Sequence, residues 1–112
     1  MDEYILIIIG FGISGISLAK EASKNNINYK ILEKNTSFGG VWFNTNKYTS
    51  LQTHRNYYEF SEEECMNELY GDYPNKANIL EYLDKIIDKY DIAKNVNYNY
   101  EVKNIRFDKK EK

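Results

Sequence analysis

The 112-residue sequence predicts an α/β fold, a three-layer domain with a parallel sheet at its centre. Three observations carry this. The run Ile5-Leu6-Ile7-Ile8-Ile9 is continuous, apolar and mostly β-branched, and it stops at Gly10; unbroken runs of this kind suit a strand buried on both faces of a parallel sheet. Directly behind the glycines, Ile13, Ile16, Ala19 and Ala22 recur at helical spacing. A second short apolar run, Tyr29-Lys30-Ile31-Leu32-Glu33, follows that helix. Strand, helix and strand within residues 4–33 close only as a right-handed βαβ unit.

Each element has its own signals. The first helix puts Lys20, Glu21 and Lys24 on a polar side and ends at Asn25-Asn26, about three turns from its start. Residues 34–61 read as a long loop rich in Asn, Thr, Ser and Gly, with Trp42, Phe43 and Tyr48 as aromatic anchors; loops of this length commonly carry function. The Glu62-Glu63-Glu64 run reads as a solvated face without chemistry. Pro74-Asn75 marks a helix entrance, and Ile79, Leu83, Ile86 and Tyr90, flanked by Leu80 and Ile87, give an apolar stripe over a helix at about 76–90. On its polar side Glu81 and Lys85 form an i,i+4 pair. Val96, Tyr98, Tyr100 and Val102 alternate with polar residues, and Ile105 and Phe107 break that parity. Two short strands over about 96–108, separated by a bulge or turn near Asn104, are expected, followed by a charged end, Asp108 to Lys112, that frays.

Composition bounds the function. The length is that of one domain, residues 1–112, and 42% hydrophobic with 29% charged residues is a globular balance. Fifteen Lys and Arg against seventeen Asp and Glu leave a net charge of −2, so the basic surface of a nucleic-acid binder is missing. A single cysteine, Cys65, rules out an internal disulfide framework or a Cys-rich zinc site and fits a reducing compartment; the expected location is the cytoplasm, and no metal is expected. The acidic start Met1-Asp2-Glu3 and the brevity of Ile5 to Ile9 give no export signal and no membrane segment.

Gly10-Phe11-Gly12-Ile13-Ser14-Gly15 is G-x-G-x-x-G, placed after a buried strand and opening a helix, where its mechanism requires it. The first glycine permits the tight turn, the second lets backbone approach a pyrophosphate, and the third lets helix and strand pack closely. The helix N-terminus offers unpaired N–H groups and a positive dipole to phosphates. Glu33, 23 residues after Gly10 at the end of the second strand, is placed to accept hydrogen bonds from both hydroxyls of an adenosine ribose and disfavours a 2′-phosphate. The expectation is a Rossmann-like domain that binds the ADP half of a dinucleotide. This loop does not separate FAD from NAD, since both present the same ADP half to it.

Behind Glu33 the chain reads Lys34-Asn35-Thr36-Ser37-Phe38-Gly39-Gly40-Val41-Trp42, a glycine pair followed by an aromatic. Here the sequence resembles the flavin-containing monooxygenases, flavoproteins related to the Baeyer-Villiger enzymes. The resemblance continues through Tyr48-Thr49-Ser50-Leu51-Gln52-Thr53, Tyr58-Glu59-Phe60-Ser61, Asp72-Tyr73-Pro74 and Leu80-Glu81-Tyr82-Leu83, and spans about Ile5 to Phe107. It implies FAD, held by Gly10, Gly12, Ile13, Ser14, Gly15, Glu33, Lys34, Gly39, Gly40, Val41, Trp42, Leu51 and Thr53. It also implies NADPH as reductant and oxygenation of a soft nucleophile through a flavin C4a-hydroperoxide. His54 stands where many members carry an Asn near the flavin, which makes it the one candidate catalytic residue. The aromatic and proline-rich run that follows Phe-Ser in those proteins is replaced here by Glu62-Glu63-Glu64-Cys65.

The resemblance further implies that NADPH docks on a second G-x-G-x-x-G, for which this chain has no glycines: outside the first loop only Gly39, Gly40 and Gly71 remain. The domain thus reads as truncated relative to that family, with an open sheet edge that invites a protein partner or self-association. Three functions follow: the FAD-binding part of a monooxygenase inactive on its own, a non-catalytic FAD- or ADP-binding module, and an NAD-binding fragment. The last leaves the Gly39 to Trp42 segment without an explanation.

Overall fold

The computed structural model describes residues 4–108. Strand β1 (Leu6–Ile9), helix α1 (Ile13–Lys24) and strand β2 (Tyr29–Glu33) form the expected βαβ unit, with β1 and β2 parallel and Ile8 opposite Ile31. A one-turn helix α2 (Val41–Asn44) interrupts the long loop, α3 (Lys76–Lys89) follows, and β3 (Val96–Tyr98) lies parallel to β2 on the side away from β1. The strand order β1-β2-β3 leaves β1 at an edge among the described residues.

Alternation divides the sheet into two unlike faces. Ile8, Tyr29, Ile31 and Glu33 point into the core with Ile16, Ala19 and Ala22 of α1 and Ile79, Leu83, Ile86 and Ile87 of α3. On the opposite face Ile5, Ile7 and Ile9 are 82%, 46% and 54% exposed. The described residues therefore supply two of the three expected layers. No helix among them is long and apolar enough to cross a membrane.

Helix α3 begins as the Pro74-Asn75 signal predicts. The Asn75 side chain accepts from the Asn78 amide, the Asn78 side chain accepts from the Asn75 amide, and this reciprocal box satisfies two orphan donors of the first turn. The Glu81–Lys85 pair forms at 3.6 Å on the exposed face.

Three expectations are corrected. Lys20 is not on a solvated side: it is buried and paired with Glu64, its ammonium 5.8 Å from the ring centres of both Phe60 and Tyr90. In the acidic run only Glu62 and Glu63 are exposed, whereas Glu64 is buried, because a partner ammonium offsets the cost of taking its charge out of water. The C-terminal strand stops at Tyr98. Asn99 adopts a left-handed φ of +63°, the Tyr100 amide turns back to the Glu33 carbonyl, and residues 101–108 form no strand. Of the charged end expected to fray, residues 109–112 lie outside the described residues, as does the acidic start at residues 1–3.

Candidate functional site

At the C-terminal end of β1 the chain turns through Gly10, whose φ of +96° is one that side chains rarely adopt. Helix and strand then run so close that a Cβ on Gly15 would stand 2.2 Å from the Gly10 carbonyl oxygen. The third glycine of the loop is thus a packing requirement, as its spacing predicts. The N-terminus of α1 carries no side-chain cap and no acid in its first turn, and pairing within the helix begins with the Ile16 amide on the Gly12 carbonyl. The preceding amides and the positive dipole end are left to whatever occupies the space lined by Gly10, Gly12, Ile13, Ser14 and Gly15.

The second glycine pair forms the opposite wall. The Gly39 amide donates to the Phe11 carbonyl at 2.9 Å, and Gly39 and Gly40 have φ of +120° and +57°. A Cβ on Gly40 would come within 2.9 Å of the Gly12 Cα, and one on Gly12 within 3.3 Å of the Gly40 Cα. Sequence reasoning assigned the bare Cα of Gly12 to a ligand. The structure gives it a further duty, contact with the second loop. That loop is fixed from behind: the Lys76 ammonium donates to the carbonyls of Phe43 (3.1 Å) and Thr45 (2.8 Å), and the Trp42 indole N–H donates to the Tyr58 hydroxyl at 2.7 Å. Burial pushes the Tyr58 phenol above its ordinary pKa while the Trp42 bond works against that rise, so it stays protonated at neutral pH.

Glu33 closes the far end. It is buried, and both carboxylate oxygens are already placed: Oε1 accepts the Phe11 amide and Oε2 the Asn35 amide, each at 2.7 Å. Each oxygen keeps a second lone pair. A cleft of about 470 Å³ opens there, within the span of small-molecule sites, roughly 300–1,000 Å³. Gly10, Gly12, Glu33, Lys34, Gly40 and Val41 line it, and it shares Ile9, Gly10, Gly12 and Val41 with the space at the α1 N-terminus. Beyond the expected residues the cleft takes in Asn35, Tyr100, Glu101 and Val102. The alternation at Tyr100 and Val102 was the available signal, but it read as a strand face. Tyr98 sits nearby against Phe11, and burial first, then the Glu33 charge, raises its phenol pKa.

Gly39 and Trp42 line the neighbouring space, with the Trp42 ring buried. Leu51 and Thr53 are outside both: Leu51 is a core residue whose amide bonds the Pro74 carbonyl, and Thr53 is exposed. His54 is likewise remote from the cleft lining. Its Nδ1 accepts the Asn56 amide at 3.2 Å, capping a short 3-10 turn, and its Nε2 lies 3.3 Å from Asp72. Of the aromatic anchors, Trp42 is buried and Phe43 partly so, whereas Tyr48 is exposed.

Comparison with known proteins agrees with this fold. The chain is 32% identical over 101 residues to a putative flavin-containing monooxygenase 2 from Arabidopsis thaliana, 89% of this chain and 22% of that protein. It is 32% identical over 96 residues to a 4-hydroxybenzoate brominase (decarboxylating) from Pseudoalteromonas luteoviolacea, 85% of this chain and 19% of that one. To the FAD-binding monooxygenase VdtE from Byssochlamys spectabilis it is 28% identical over 112 residues, covering 96% and 19%. The chain thus spans about a fifth of the length of these relatives. Among solved structures, an oxidized steroid monooxygenase bound to NADP superposes with a TM-score of 0.74 at 22% identity, over 86% of this chain and 19% of that one. A bacillithiol disulfide reductase from Staphylococcus aureus matches with the same score at 21% identity, over 88% and 29%; at these identities the likeness is one of fold. Residues 8–73, from the end of β1 through both glycine loops, match the NAD(P)-binding Rossmann-like domain, and the chain belongs to that family.

Proposed function

We propose that this chain holds FAD by its ADP half and is the FAD-binding part of a flavin-dependent, NADPH-requiring monooxygenase that is inactive without further polypeptide. The observation that carries the reading is the pair of glycine loops in contact at Gly12 and Gly40, with Glu33 at one end of the shared groove and the uncapped α1 N-terminus at the other. These residues fit the group. The amides at the start of α1 would take the pyrophosphate, and the free lone pairs of Glu33 would accept the ribose hydroxyls. Tyr100, Glu101 and Val102 would border the remaining space. When bound, FAD supplies the redox and oxygen chemistry; the chain's own residues bind it, orient it and keep water off the groove floor.

FAD is favoured over NAD by the second glycine loop and by the flavin or FAD in two relatives' names. The monooxygenase reaction rests on those same names, and the brominase and reductase show that one fold serves other chemistries. A reading as a non-catalytic FAD module is supported by His54, already held by Asn56 and Asp72. The exposed free thiol of Cys65 fits a reducing cytoplasm. The edge and face that β1 exposes among the described residues support docking of a protein partner or of a second copy, which sedimentation of the purified chain will sort: a concentration-independent monomer would argue against self-association.

The decisive experiment loads the purified chain with FAD, removes the excess and records the visible spectrum. Retained flavin absorbance that ADP displaces is the expected result, with NADPH consumption at background. A folded chain, by far-UV circular dichroism, that retains no flavin would overturn the FAD reading. Steady NADPH oxidation by the loaded chain alone would overturn its inactivity.

A further inference from the structure

One cluster of buried charge is not used by the dinucleotide reading. Lys20 of α1 and Glu64 form an ion pair with side chains 6% and 3% exposed. The other Glu64 oxygen faces the Lys89 ammonium at 3.3 Å, and the Tyr90 hydroxyl donates to the carboxylate at 3.2 Å. Burial alone would push the Glu64 carboxyl up, but the bonds from Lys20 and Lys89 hold it down at about 2. The Glu64 carbonyl accepts the Tyr82 hydroxyl, whose oxygen accepts the Phe60 amide at 2.9 Å.

These bonds lead back to the groove. Phe60 is two residues from Tyr58, which accepts the Trp42 indole N–H, and Trp42 stands just behind Gly39 and Gly40. Gly39 in turn bonds Phe11 in the first loop, whose helix carries Lys20. The path closes on itself: α1, Glu64, residues 58–60, Trp42, the second glycine loop, the first glycine loop, α1. An ion pair in this place has two roles open to it. It could add only to stability, although apolar packing commonly does that as well or better. Or it could fix where residues 58–64 stand, and with them Tyr58.

We propose that the Lys20–Glu64 pair is a positioning device for the dinucleotide groove, holding residues 58–64 on α1 so that Tyr58 and Trp42 set the distance between the two glycine loops. The proposal rests on the reading that this groove binds FAD, and its test separates the two. Trp42 is the only tryptophan in the chain, so its emission and its quenching by acrylamide report the second loop without any ligand. In Glu64→Gln, Trp42 should become more accessible to acrylamide, and FAD should bind roughly tenfold more weakly, the scale of a lost charge-assisted bond. Lys20→Met, which removes the charge on α1 and leaves Glu64 with Lys89 and Tyr90, should do the same. Tyr58→Phe, which leaves the buried charges alone, should reproduce the Trp42 change and the weaker binding.

Unchanged Trp42 quenching in Tyr58→Phe overturns the proposal, and so does a folded Glu64→Gln that loses stability while Trp42 and FAD affinity stay as in the parent. If Glu64→Gln does not fold, Tyr58→Phe and Lys20→Met decide. A parent protein that binds no FAD refutes the functional reading, while the ligand-free Trp42 measurements still confirm or refute the positioning role.

Discussion

The two glycine loops of the groove are built in opposite ways. The first is held within the βαβ unit: Gly15 lies against the Gly10 carbonyl, β1 ends at Ile9 just before the loop, α1 starts at Ile13, and the Glu33 carboxylate at the end of β2 accepts the Phe11 amide. The second is held by side chains from far along the sequence, the Lys76 ammonium on two carbonyls, the Tyr58 hydroxyl on Trp42 and the Leu80 methyl group against Gly39. A loop built inside one βαβ unit has its geometry as soon as that unit folds. A side-chain-built loop has it only when the rest of the domain is in place, so the two walls of one site should respond differently to damage.

The comparison can be pressed hardest at Gly15. Gly15→Ala puts a methyl carbon against backbone that cannot yield, and a loss of about 4 kcal/mol or more, enough to unfold the domain, is expected in chemical denaturation. A stable Gly15→Ala would show that strand and helix are free to separate. Gly40→Ala meets the Gly12 Cα at 2.9 Å with φ at +57°, and should cost about 1–3 kcal/mol while leaving the βαβ unit intact and FAD binding abolished. Equal damage from the two substitutions would erase the proposed difference. Glu33→Ala removes the acceptor of one buried and one part-buried amide as well as the proposed ribose contact; about 1–3 kcal/mol of stability and a parallel loss of FAD affinity should both appear. Affinity loss with unaltered melting would show that those amides find other partners.

Smaller effects test the second wall alone. Lys76→Met should cost about 1 kcal/mol and raise amide exchange at residues 41–45 without touching residues 10–15. Acid should act likewise. The ordinary Glu64 value of 4.5 is lowered to about 2 in the fold, so the carboxylate's contribution is complete above about pH 4.5 and is lost as pH falls through 2. Across that window Trp42 emission should change before far-UV ellipticity does; a single coincident transition would count against a separately held second loop.

The same contrast explains what was legible in the sequence. Strand β1, the first glycine loop, α1 and β2 are each dictated by residues within a few positions of one another, and periodicity and spacing recover them. Glu33 was legible as an acid at the right distance, but its bonds to Phe11 and Asn35 were not, since a carboxylate beside a glycine loop does not announce which amides it will accept. The burial of Lys20 and Glu64 was hidden for a sharper reason. Each residue taken alone reads as solvated, and only their meeting, 44 positions apart, makes burial affordable. Leu51 and Thr53 were drawn from the family pattern, and the fold sets them outside the cleft. The strand expected through Tyr100 and Val102 stops where Asn99 turns to a left-handed φ of +63°, and those side chains line the cleft.

The edge that β1 presents among the described residues also works as a ruler. The amides of Leu6 and Gly10 point to β2, bonding Asn28 and Leu32, so by alternation those of Ile7 and Ile9 point outward. A strand that docks there meets donors two residues apart and a face of isoleucines with the same period. Shifted by two residues it pairs again; shifted by one it turns its polar side onto Ile7 and Ile9. A polypeptide paired with this edge would therefore be read in steps of two, its own alternation selecting which steps are allowed.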